Sequence, residues 1–155
     1  MADLCCAYNF VGIIINNPTP GVDHLMLGED GVTGLDGAPI RAEIDDEGQG
    51  DGGIVHPKLY GPRIITFKGF CNIQSVVVER NTAYATALNA LEAGVISALA
   101  GALNSASALT WTPTGGSGKT INCTYGNQGG EIRFGGSHME KTFEFTLVAA
   151  DPTIS

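Results

Sequence analysis

Four sets of residues in this chain have types that could do chemistry. Gly115-Gly116-Ser117-Gly118-Lys119-Thr120 ends like a phosphate-binding loop. That loop needs a first glycine five residues before Gly118 and must open a helix whose N-terminal amides cradle phosphate. Pro113 stands at that position, and Ile121 to Tyr125 alternate as a strand, so the stretch reads as a hairpin turn. Asp45, Glu47, Gln49 and Gly50 partly mimic a calcium loop. Its twelfth position needs a bidentate Glu and carries His56, which favours a solvated loop or one ordered by a neighbouring subunit. His24, His56 and His138 are far apart, show no HxxH or HExxH spacing, and read as scattered surface histidines. The cysteines are Cys5, Cys6, Cys71 and Cys123, with no CxxC pair. Bridging the adjacent Cys5 and Cys6 would strain disulfide geometry. Cys71 and Cys123 sit in strand-like runs, where a reduced thiol acts as a small core residue. No GxSxG is present. The expectation is a non-enzyme with no catalytic residues, no cofactor and no metal.

Trp111, in LTWTP, is either a core residue or an anchor for a partner, and core packing is the commoner fate. The chain has 155 residues, which fits one domain with a self-sufficient core. Charged residues make up only 15% of it. Interface cores are depleted of charge, so buried subunit contacts would produce this; so would a Gly- and Ala-rich β-protein. Sixteen acids against eight scattered bases give a net charge of −8, which offers no phosphate-binding surface. The N-terminus lacks a basic leader, and the apolar run around Ile13 to Ile15 is too short for a signal or a span. The chain is expected neither to be secreted through a signal nor to enter a membrane.

The elements that must position these residues are mostly strands. AYNFVGIII (7–15) reads as a strand with a Gly break, stopped by Asn16-Asn17-Pro18. VDHLMLG (22–28) and PIRAEI (39–44) are further strand candidates, with turns in GEDGVTGLDGAP between them. Residues 45–53, DDEGQGDGG, cannot build a core and read as an exposed loop. In 62–80, Ile65, Phe67, Cys71 and Ile73 share one face, and Gly69 marks a bulge or bend. From 82 the period changes to helical, with Leu88, Leu91, Val95, Leu99 and Leu103 in line, Asn81 or Thr82 as the cap, and Gly101 as one possible end. Gly-turned hairpins follow, and a closing strand buries Phe143, Phe145, Leu147 and Ala149. The fold class is α+β: antiparallel strands around one long helix.

The order of these pieces resembles the N-terminal, ring-forming domain of siphophage distal tail proteins. The entry strand is Tyr8 to Ile15; the acidic Gly loop is Asp51-Gly52-Gly53, followed by Gly61-Pro62-Arg63. The long strand and Leu-spaced helix come next, and the chain closes on Ala150-Asp151-Pro152. The resemblance implies one tail-tube-like domain over 1–155, a β-sandwich or split barrel with a flanking helix. With the sequence stopping at Ser155, the C-terminal carbohydrate-binding domain of larger relatives is not expected. It implies a structural role in the virion tail, assembled in the host cytoplasm. There a hexameric adaptor ring would join the tail tube to the tip hub and form part of the DNA conduit. Expected partners are further copies, the tail-tube protein, the tip hub protein, the tape-measure protein and passing double-stranded DNA without specific binding. Acidity suits such a conduit. Tyr8, Phe10, Ile13, Ile15, Asp45, Asp46, Glu47, Asp51, Ile54 and His56 are the expected subunit contacts. A tail-tube or tail-completion subunit is the alternative within structural proteins; a carbohydrate-binding β-module is the alternative from another class.

Overall fold

β-branched and aromatic residues alternate with polar ones along most of this chain, and that period places one face of each strand inside. A computed structural model of the chain describes residues 6–37, 40–41, 44–46, 53–55, 59–76, 82–103, 105–125, 133–136 and 140–155. The strands are β1 (Tyr8–Phe10), β2 (Ile13–Ile15), β3 (His24–Thr33), β4 (Ile40–Arg41), β5 (Ile44–Asp46), β6 (Gly53–Val55), β7 (Leu59–Tyr60) and β8 (Arg63–Asn72). Helix α1 (Thr82–Gly101) follows, and then β9 (Ser107–Trp111), β10 (Lys119–Tyr125), β11 (Arg133–Gly136) and β12 (Lys141–Ala149).

The main sheet runs β10-β9-β1-β2-β3-β8-β12-β11, and a further β10–β12 pairing closes seven of its strands into a barrel. The sandwich or split barrel expected from sequence is therefore a closed barrel here, with β11 as an extra strand on β12. Nor is the sheet wholly antiparallel, because β2 and β3 run parallel at Ile15–Leu25. Asn16 makes that junction possible. Its φ of 59° turns the chain, and its N–H donates to the Leu25 carbonyl at 2.8 Å. Its buried side chain accepts from Leu27 N–H at 3.0 Å and donates to the Cys6 carbonyl at 3.1 Å.

Two other sequence expectations change. The turn chemistry of GEDGVT does not end a strand. It is a bulge inside β3, where the register on β8 shifts between Leu27 and Val32. The irregularity expected at Gly69 thus sits on the opposing strand. The acidic stretch is not all loop either, since Asp45 pairs with Ile54 in a two-stranded β5–β6 sheet, and β4 pairs with β7 in another.

The interior is filled by side chains, as a barrel of this size requires. Ile65, Phe67, Cys71, Ile73, Phe143, Phe145, Leu147 and Ala149 are all buried, as their alternation predicts. Phe67 stacks on Phe145 at 5.3 Å between ring centroids and meets Tyr8 edge-on at 5.5 Å. Helix α1 ends at Gly101 and buries Leu88, Val95 and Leu99 in the same core. It lies beside the β1–β2 turn and the start of β3, with which it lines a groove. Lys141 of β12 ties it down by pairing with Glu92 and by donating to Asn89 Oδ1 at 3.0 Å. By length and hydropathy (1.2) the helix could cross a membrane. Its buried leucines and the Lys141 tie are those of a helix packed on a barrel.

Candidate functional site

Tyr8, Phe10, Ile13 and Ile15, expected as subunit contacts, are 5%, 1%, 8% and 1% exposed. The hairpin turns them inward because the barrel closes around them, so Asn9 and Ile14 form its outer face. Asp45, Asp46 and Ile54 are placed by backbone pairing in the β5–β6 sheet. Glu47, Asp51 and His56 lie outside the described residues, as do His138, Cys5 and the proposed cap Asn81. Among the described residues the structure thus brings the hairpin residues together in the core and keeps none of them for a surface.

What the barrel does present outward comes from the opposite strand positions. On β8 and β12, Ile64 pairs with Val148, Thr66 with Thr146, Lys68 with Glu144 and Phe70 with Thr142. Ile64 and Phe70 are 51% and 42% exposed, at the two ends of this row. The two threonine hydroxyls hydrogen-bond at 3.3 Å, so the middle of the face is polar and knitted together. A second apolar area flanks α1. A groove of about 430 Å³ between the helix and the hairpin is lined by Ile13, Ile14, Val22, Leu91, Gly94 and Val95, among others. Ile96 of α1 and Leu103, just past its end, are 45% and 50% exposed. Single exposed apolar residues are ordinary; clusters of them mark contact surfaces.

The polar interior is small and fully partnered among the described residues. His24, expected at the surface, is buried, with Nδ1 2.9 Å from the Val22 carbonyl. Asp23 beside it accepts from Gln74 N–H and Ser75 N–H, both at 2.9 Å. Arg63 is the one charged side chain in the core of the described residues, and it meets only carbonyls. Nη1 donates to Gly34 at 2.7 Å and to Asp36; Nε and Nη2 donate to Pro152 at 3.2 and 3.1 Å. Nothing in the sequence marks Arg63 as this hub, because its partners are backbone atoms with no side-chain signature.

The thiols are suited to packing. Burial pushes Cys71 up to about 11, with Lys141 pulling it back and Glu92 adding to the rise. Burial pushes Cys123 up to about 12, with Arg63 pulling the other way. Protonated thiols are poor nucleophiles and poor metal ligands. Among the described residues no three His, Cys, Asp or Glu side chains gather as a metal site. The Lys119-Thr120 pair opens β10, not a helix, as its alternation predicts. Trp111 is 7% exposed, in the core.

No protein-family model matches the chain, and no curated protein matches it. A solved structure does. The crystal structure of the phage SPP1 Dit protein superposes with a TM-score of 0.61 over 95% of this chain, at 13% identity. The likeness is one of fold. SPP1 Dit is described as a paradigm of the hub adsorption apparatus in phages that infect Gram-positive bacteria. This chain spans about half the length of SPP1 Dit, matching 50% of it.

Proposed function

We propose that this chain is a structural protein of a long-tailed phage, a distal tail subunit with a tail-tube-like barrel that assembles into a hexameric ring. The observation that carries this reading is the SPP1 Dit fold over 95% of the chain. The ring joins the tail tube to the tip hub in the virion, adjoins the tape-measure protein, and lets DNA pass without specific binding. Its work is contact between surfaces, with no reaction catalysed.

The physical features agree with that role. A ring needs two different patches on each subunit, one meeting the other on the next copy. Two separate outward areas carry exposed apolar residues: the β8–β12 face with Ile64 and Phe70, and the α1 flank with Ile96 and Leu103. A net charge of −8 disfavours adhesion to DNA. Native mass measurement and negative-stain imaging of the purified chain test the reading. Rings of six copies are expected. A monomer at every concentration overturns it, and long stacked tubes reassign the chain to the tube itself. Glycan binding by a monomer would favour a carbohydrate module.

A further inference from the structure

Between β10 and β12 the barrel wall is closed over only part of its height. These strands pair at Thr124–Val148 and Tyr125–Leu147. β12 then continues along β8 as far as Ala149, while β10 begins at Lys119 against β9. The segment after β12 crosses the gap. Thr120 N–H donates to the Ser155 carbonyl at 2.8 Å, and Ser155 N–H donates to the Thr120 carbonyl at 3.0 Å. Such an exchange is a close antiparallel rung. From the Thr124–Val148 rung to this one, four residues of β10 correspond to seven of the crossing segment. The extra length loops out around Asp151 and Pro152, where Thr153 N–H turns back onto Asp151 Oδ1 at 3.0 Å.

We propose that residues 150–155 are a strap that opens and closes this end of the barrel as a unit while the wall stays folded. Arg63 is its latch. The attachments described are few: the Thr120–Ser155 rung, the Ser155 hydroxyl donating to the Thr120 carbonyl at 3.3 Å, the two Arg63 bonds to the Pro152 carbonyl, and a half-buried Ile154. Against them, β8 and β12 stay in register over eight pairs, from Phe70–Thr142 to Arg63–Ala149. Segments with few buried contacts open locally well below the free energy of global unfolding. Opening also leaves no stranded charge, since Arg63 keeps the Gly34 and Asp36 carbonyls on the wall side. Ile154 of the strap borders an open cleft of about 680 Å³, which is also lined by Tyr8, Trp111, Leu35 and Lys119. An open strap widens that cleft and frees the edge of β10 from Thr120 to Asn122.

Amide hydrogen exchange on the whole chain tests this. The Thr120 amide is expected to exchange on the order of tenfold or more faster than those of Ile65 and Phe67, with little dependence on low urea. Ser155→Pro removes both the N–H and the hydroxyl that donate to the Thr120 carbonyl. It should speed Thr120 further, leave the β8 amides unchanged, and raise acrylamide quenching of Trp111. If Thr120 exchanges at the β8 rate with the same urea dependence, the strap opens only when the barrel unfolds, and the proposal fails. Unchanged Thr120 exchange in Ser155→Pro would equally overturn it.

Discussion

Gly69 lies so close to Met26 that a Cβ on it would stand 2.0 Å from the Met26 carbonyl oxygen. The obstacle is backbone, in the stretch of β3 that leads into the bulge, so no side chain can swing aside. Gly69→Ala is expected to lower stability by about 3 kcal/mol or more. Gly94, exposed on α1 with open space where a Cβ would go, is the opposite case. Gly94→Ala should raise stability by up to about 1 kcal/mol. Urea midpoints of the two variants check both signs; equal shifts would refute the close contact at Gly69.

Arg63 holds three carbonyl oxygens from two segments with one planar group. Arg63→Met takes the donor from these carbonyls, of which Gly34 and Pro152 are half-buried, and should cost about 1–3 kcal/mol. Arg63→Lys restores the charge but not the fork, so it should recover only part of the loss. Thermal melts of the three proteins decide; a fully stable Lys variant would mean that charge alone suffices.

Alkaline stability follows from the thiols. Cys71 and Cys123 ionise near 11 and 12 in the fold, against an ordinary value of 9.0. Above 9.0 the unfolded chain therefore loses these protons first, which favours unfolding. Their contribution is complete below that pH and is lost as pH climbs through 11 and 12. Denaturant midpoints are expected to fall over that range, and less so in a Cys71→Ala, Cys123→Ala protein relative to its own value at pH 8. Iodoacetamide at pH 8 should leave both thiols unmodified in the folded chain and label them after unfolding.

The proposed contact surfaces can be separated from the fold. Ile64→Glu and Phe70→Glu change side chains that face solvent in the single chain. Each should shift stability by no more than about 0.5 kcal/mol while converting rings to smaller species on a sizing column. Rings that persist in both variants would move the interface elsewhere on the barrel.

Much of the interior was legible in the sequence. Period two placed Ile65, Phe67, Phe143, Phe145 and Leu147, and helical spacing placed Leu88, Val95 and Leu99. Alternation tells inside from outside but carries no information on whether a sheet closes, so a sandwich and a barrel look alike along the chain. The same ambiguity hid the hairpin. Apolar character made Tyr8, Phe10, Ile13 and Ile15 look available for a neighbour, whereas the barrel claims them for its own core. The β3 bulge was hidden because Gly28 to Gly31 has the composition of a turn and performs a turn's local geometry within a strand. Backbone-directed partners such as those of Arg63 and Asn16 leave no trace at a second sequence position.

The stacked rings of Phe67 and Phe145, with Tyr8 edge-on, fill the interior of the barrel. No molecule of nucleic-acid width can thread a single copy. In the proposed ring the bore is therefore the empty centre of an annulus, and its diameter would be set by how many barrels stand around it.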